Sequence, residues 1–180
     1  IRSGDGSVST GSMTVTKVAP SLFTANATGR GVAAAVFLRI KPNNIQSYEP
    51  VGRYDAAQSK FVPIPVNLGP ETEQVYLVLF GTGARAYSAM AQVSAKLGDA
   101  PLEVTTLSPQ GTFAGLDQIN LRMPRNLPVC GTLDVTLTID GKVANKVQVA
   151  VSAPNLTTPT GLAATAGTNQ VTLSWNVSAN

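Results

Sequence analysis

Glu71 and Glu73, in Gly-Pro-Glu-Thr-Glu-Gln, stand two residues apart ahead of an apolar run, the spacing that puts two carboxylates on one face of a strand. A carboxylate pair is the machinery of glycoside hydrolysis, but such pairs come from separate segments that face each other across a cleft. The two glutamates therefore read as a solvated pair flanking a strand start. Asp5, in Ser-Gly-Asp-Gly-Ser, would suit a calcium loop only with several further oxygen ligands, and a flexible Gly/Ser lead-in accounts for it. The chain has no histidine, which excludes Ser-His-Asp and Cys-His nucleophiles and His-ligated zinc. Cys130 is the single cysteine and has no base to activate it. It cannot form an intrachain disulfide and reads as a small apolar residue, with an intermolecular disulfide as the alternative. Phe-Gly-Thr-Gly-Ala-Arg, residues 80–85, shares only its glycines with a phosphate cradle, since no helix pattern and no Walker lysine follow; it reads as a strand-ending turn. Asn-x-Ser/Thr sequons at Asn26, Asn155 and Asn176 would be surface glycosylation sites in a eukaryotic secreted protein and are coincidence in a Thr-rich bacterial one. No catalytic, cofactor-binding or metal-ligating residue is assigned, and the expectation is a protein that is not an enzyme and needs no cofactor.

What these residues sit on follows from composition and period. Of 180 residues, 43% are hydrophobic and only 13% charged, well below the roughly 25% of an average soluble domain. Together with abundant Thr, Val, Ser and Ala this is the usage of secreted bacterial β-proteins with neutral polar outer faces. The net charge is +3, but the thirteen Lys and Arg are scattered, with Arg122 near Arg125 and Lys142 near Lys146 as the closest groupings. No stripe suited to phosphates emerges, so nucleic acid is not an expected partner. No run of about 18 apolar residues is present, so no membrane span is expected. The first residues, Ile-Arg-Ser-Gly-Asp-Gly-Ser, have neither the basic nor the apolar region of a signal peptide.

The period is two almost throughout, with Gly, Pro and Asn punctuation every eight to twelve residues or so, and no helix pattern. In residues 132–151, Leu133, Val135, Leu137 and Ile139 alternate with polar residues, Asp140-Gly141 supplies a two-residue turn, and Val143, Val147, Val149 and Val151 continue the apolar face on the return strand. Val75 to Phe80 is apolar at nearly every position, as in a strand covered on both faces and central to a sandwich. Pro101–Leu107 and Asp117–Pro124 read as further strands, the second burying Ile119, Leu121 and Met123, with residues 108–115 as a loop. Before residue 66, the stretches 11–18, 31–40, 45–54 and 60–66 read as strands, and Pro42, Pro50, Pro63 and Pro65 argue that several lie at edges. The expected core is Val75, Leu77, Leu79, Ile119, Leu121, Leu133, Val135, Leu137, Val147 and Val149.

Four segments carry a more specific signal: Ala19–Thr24 (Ala-Pro-Ser-Leu-Phe-Thr), Leu77–Gly83 ending in Phe-Gly-Thr-Gly, Gly115–Asn120 (Gly-Leu-Asp-Gln-Ile-Asn) and Ile139–Gly141. Over residues 18 to 151 this series resembles an uncharacterised domain family found near the C-termini of secreted and surface proteins of acidobacteria. The resemblance implies an immunoglobulin-like sandwich, carries no established activity and brings no active-site residues. Pro-Thr-Gly-Leu-Ala-Ala-Thr-Ala-Gly-Thr-Asn-Gln-Val-Thr-Leu-Ser-Trp-Asn, residues 159–176, is similar to the first two strands of a fibronectin type III module, with Pro159 and Leu162 opening the first strand and Val171, Leu173 and Trp175 alternating inward on the second.

The reading is thus all-β: residues 1–64 as an N-terminal β-strand extension or the end of a preceding Ig-like unit, 65–152 as an Ig-like β-sandwich, and 153–180 as a linker with the first strands of an incomplete fibronectin type III-like module. Two strands cannot bury Leu162, Val171, Leu173 and Trp175 among themselves. Those four residues are the expected self-assembly strand, covered by a neighbouring copy through β-strand addition, with the Gly/Ser/Thr-rich segment 5–18 as a possible second link. The expected function is a non-catalytic structural module at the cell surface or outside the cell, in a filament or array. The alternative is an adhesive or carbohydrate-binding module of a truncated multidomain surface protein; it would favour coplanar aromatic platforms, and the chain has 6% aromatics and one Trp.

Overall fold

The computed structural model describes residues 1–125, 127, 130–152, 160–168 and 170–176. The chain is all-β and its sheet, which curls over on itself, is of the Ig-like β-sandwich class. The strands are β1 (Ser21–Leu22), β2 (Ala35–Ile40), β3 (Gln46–Pro50), β4 (Gly52–Asp55), β5 (Lys60–Pro63), β6 (Pro65–Val66), β7 (Gln74–Thr82), β8 (Val93–Leu97), β9 (Ala100–Pro109), β10 (Asp117–Arg122), β11 (Gly131–Ile139), β12 (Lys142–Val143), β13 (Val147–Val151), β14 (Thr160–Gly167) and β15 (Gln170–Asn176). Short 3-10 turns occupy Pro42–Asn44 and Met90–Gln92.

One layer runs β3-β2-β7-β10-β9 and the other β9-β8-β11-β13-β6. Strand β9 belongs to both: Ala100–Leu102 pair with β8, while Glu103 onward pairs with β10. A bulge at Thr105, whose hydroxyl donates to the Asn120 carbonyl at 3.0 Å, provides the local bend. On the opposite side the chain changes layers again. Val32 bridges in parallel to Gln148 of β13, and three residues later Ala35 pairs with Leu79 of β7. Residues 18–151 thereby enclose a single core with Phe37, Leu77, Leu97, Ile119, Leu121, Val135, Leu137, Val147 and Val149 fully buried. Nine of the ten expected core residues are buried, and Leu133 is half-buried against the cluster. Phe37 lies opposite Leu77, so the stretch before residue 65 supplies part of this same core.

Three local expectations change. Residues 11–18 form no strand, and Met13 and Val15 are exposed; β1 and β2 already occupy that side of β7, so the alternating residues have no edge to pair with. Val143 is 62% exposed instead of facing inward. It pairs with Thr138, and Ala144 bonds to Leu137, but Val147 pairs with Val135, so the return strand holds one extra residue. That bulge moves Val147, Val149 and Val151 onto the core face and leaves Val143 on the other. Asp140 and Gly141 take φ of +48° and +75°, the left-handed pair that the tight turn requires.

Candidate functional site

The four signature segments of the sequence meet at the end of the sandwich where β7 finishes. Gly81 and Gly83 leave room for the preceding chain to cross over them: a Cβ on Gly83 would stand 2.2 Å from the Ala19 carbonyl oxygen, and one on Gly81 2.3 Å from that of Ser21. Asp117, the first residue of β10 and fully buried, accepts hydrogen bonds from the Ala84 and Arg85 N–H groups at 2.8 and 3.3 Å and from Arg85 Nε at 2.5 Å. Asp140 accepts from the Ser88 N–H and hydroxyl. Asn145, in the bulge between β12 and β13, acts as a strand partner. Its Oδ1 accepts from the Leu22 N–H at 2.7 Å, and its Nδ2 donates to the Leu22 and Gly29 carbonyls at 2.9 Å. Each of these contacts seals a chain crossing, and none presents a reactive atom to solvent.

The carboxylate pair is resolved at the other end. Glu71 is exposed, whereas Glu73 turns inward and accepts from Arg39 Nη1 at 2.8 Å, so the expectation of a solvated pair holds for Glu71 alone. Arg39 lies on the core face of β2, 8% exposed, and all five of its N–H donors are used: Nε and Nη2 on Glu49, Nη1 on Glu73 and the Leu68 carbonyl, and Nη2 also on the Asn67 carbonyl. The Glu49 hydrogen bond, opposed by burial and helped by Glu73, holds the guanidinium above its ordinary pKa. Gly69, at φ +71°, is needed here, because a Cβ would stand 2.7 Å from Glu73 Oε2 and 2.8 Å from Arg39 Nη1. A guanidinium saturated by two carboxylates and two carbonyls is a structural clamp, and it removes Glu73 from acid–base chemistry.

The remaining candidates fall apart in the same way. Asp5 closes its own turn, its Oδ1 accepting from the Ser7 hydroxyl and N–H, and the hydroxyl is the main cause of its lowered pKa. Cys130 is exposed, where a small apolar residue was expected to be at least half-buried. Asn26 is exposed in a turn that its own Oδ1 makes with Thr28, Asn155 lies outside the described residues, and Asn176 ends β15. Arg125 is spent on the Leu68 and Gly69 carbonyls and Arg122 faces Glu103 at 3.6 Å, so the cations do not gather. Among the described residues no three His, Cys, Asp or Glu side chains cluster as metal ligands, and no helix is long and apolar enough to cross a membrane. A cleft of about 410 Å³ beside Gly29 and Gly31 is lined by Asn145, Asp134, Lys146 and Gln148, which bond to the loop or to one another.

What stands open is apolar. Strands β14 and β15 form an antiparallel hairpin with Ala164 opposite Leu173 and Ala166 opposite Val171, and a bulge at Gly161-Leu162 opposite Trp175. Val171, Leu173 and Trp175 share one face by alternation; Thr172 and Ser174 take the other. Leu162, Val171, Leu173 and Trp175 are 70%, 65%, 56% and 56% exposed. Among the described residues the hairpin pairs with no strand of the body. A second apolar surface escaped the sequence reading: the outer face of β3-β2-β7, where Tyr48, Leu38 and Tyr76 form one cross-strand row and Pro50, Val36 and Val78 the next. Tyr48 is 66% exposed, and Val36, Leu38, Ile40, Tyr76 and Phe80 are half-buried. The signal was present in the unbroken apolar run Val32–Leu38, which resembles Val75–Phe80 in having no polar alternation.

No protein-family model matches the chain, and no curated protein or solved structure matches it either.

Proposed function

We propose that this protein is a non-catalytic structural module of the cell surface or extracellular space, and that its tail hairpin, residues 160–176, links it to a neighbouring copy by β-strand addition. The observation that carries the reading is the single apolar face of that hairpin, with Leu162, Val171, Leu173 and Trp175 all more than half exposed. A contiguous apolar face of this kind marks an interaction surface. The body offers a complementary edge: among the described residues β3 pairs only with β2, and its other side carries unpaired main-chain groups. The low charge and the Thr-rich outer face of β11 fit an exterior location, and the signature segments serve closure of the sandwich, not chemistry. The adhesive alternative would use Trp175 as a sugar-stacking platform; its neighbours in the row, Leu173 and Val171, are aliphatic and offer no coplanar ring. Multi-angle light scattering of the full chain and of a chain lacking residues 154–180 tests the proposal. The full chain should grow in mass with concentration, and the deletion should stay monomeric with an unchanged circular dichroism spectrum. A deletion protein that associates as readily as the full chain removes the tail as the link.

A further inference from the structure

We infer that the seat for the tail is the outer face of β3, β2 and β7 on a second copy, with the hairpin lying over it as a third layer. The inference rests on the reading that the tail links copies, and it names the surface that receives it. Edge pairing alone would continue the plane of the sheet and leave both apolar surfaces in water. Stacking covers both, because two sheets packed about 10 Å apart interdigitate the alternate residues of their facing sides. The two surfaces match in kind. The hairpin brings Leu162, Val171, Leu173 and Trp175 with the small Ala164 and Ala166 opposite them. The seat brings Tyr48, Leu38, Tyr76, Val36 and Ile40, bordered on the β10 side by the polar Gln118, Asn120 and Arg122. Neither surface carries a charged side chain, so none would be desolvated within the contact.

The occupant is assigned to a second copy by where the tail starts. The body ends with Val151 on β13, in the layer opposite the seat. The outer face of that layer carries Thr132, Thr136, Thr138, Asp134 and Gln148 and gives an apolar hairpin nothing to sit on. To reach the seat on its own body, the tail would cross two interlayer spacings, about 20 Å in all, and still run up the face. The seven residues 153–159 span at most about 25 Å when fully extended. A neighbouring copy receives the hairpin without that stretch. Two seven-residue strands cover a face of roughly 23 Å by 10 Å. That is well below the about 800 Å² per partner of a stable complex, so one contact is weak and assembly appears only at high concentration, on the order of 100 μM.

Disulfide trapping tests this in the Cys130→Ser chain at about 100 μM. One sample carries Leu173→Cys, its partner carries Leu38→Cys, and a control partner carries Thr136→Cys on the opposite outer face. Oxidation should give a mixed dimer with Leu38→Cys and at least tenfold less with Thr136→Cys. Tyr48→Lys, at a 66% exposed position, should weaken association of the otherwise native chain at least tenfold without changing its circular dichroism. If trapping does not distinguish the two partners, or Tyr48→Lys has no effect, while deletion of residues 154–180 still abolishes association, the tail links copies but this seat is wrong. If the deletion leaves association intact, both readings fail. If Leu173→Cys and Leu38→Cys placed in one chain close within the monomer, the seat belongs to the same chain and the second copy is overturned.

Discussion

The two ends of the sandwich face the same problem with opposite polarity. Where β7 finishes, the crossing segments turn N–H groups toward the core, and short acceptors meet them: Asp117 for Ala84 and Arg85, Asn145 for Leu22, Asp140 for Ser88. Where β7 begins, the segment 67–69 presents carbonyls, and long donors meet those: Arg39 for Asn67 and Leu68, Arg125 for Leu68 and Gly69. The sign of the side chain follows the direction in which the loop points its peptide groups, since a buried main-chain group left unmet costs about as much as a lost hydrogen bond. The difference is in replaceability. An amide that pairs with both the N–H and the C=O of one residue has no apolar substitute, whereas an arginine held by two glutamates can be exchanged as a set.

The largest expected effect is at the arginine end. Arg39→Met should cost about 3–5 kcal/mol in urea unfolding, because Glu49 and Glu73 lose their shared counter-charge. Combining it with Glu49→Leu and Glu73→Leu should recover most of that loss, and a triple variant no more stable than Arg39→Met would erase the proposed asymmetry. Next comes the amide end: Asn145→Ala should cost about 2–3 kcal/mol by leaving the Leu22 N–H and C=O unpaired at a 2% exposed residue. Asn145→Asp should be no better, since it keeps the acceptor but turns an oxygen toward the Leu22 and Gly29 carbonyls; a near-native aspartate variant would show that the donor half is dispensable. The smallest effect sharpens the comparison from the solvent side. Asp55 caps the exposed β4–β5 turn much as Asp117 caps a buried one, accepting from the Gln58 and Ala57 N–H groups. The Gln58 N–H bond is the main reason its pKa is lowered, so its contribution is present above the ordinary aspartate range and is lost as the pH falls through the depressed value. NMR titration should find Asp55 below ordinary aspartates, and global stability should barely respond there.

Much of this architecture can be read from local pattern. Asp140-Gly141 between two alternating runs announces the hairpin of β11 and β13, and the unbroken run Val75–Phe80 announces a strand covered on both sides. The bulge that exposes Val143 is invisible locally, because it serves Asn145, whose partner Leu22 lies 123 residues away. Arg39 is illegible for the same reason: in Phe-Leu-Arg-Ile it looks like a solvent-facing residue until Glu49 and Glu73 arrive from two other segments. The tail row Val171, Leu173, Trp175 was legible from alternation alone. Its inferred seat was not, because Val36, Leu38 and Ile40 belong to one surface with Tyr48 and Tyr76 only after β3, β2 and β7 are in register.

The pairing of Asn145 with Leu22 also sets an order of events during synthesis. Ala19–Thr24 crosses over Gly81 and Gly83 and is clamped by a residue made 123 positions later. At about 5–20 residues per second, that interval lasts roughly 6 to 25 s, during which the segment waits for its clamp. Strand β2 waits for β7 as well, with Val36, Leu38 and Ile40 unshielded meanwhile. A nascent chain in that state is a natural client for a holding chaperone, and a ribosome paused before residue 145 would prolong its exposure.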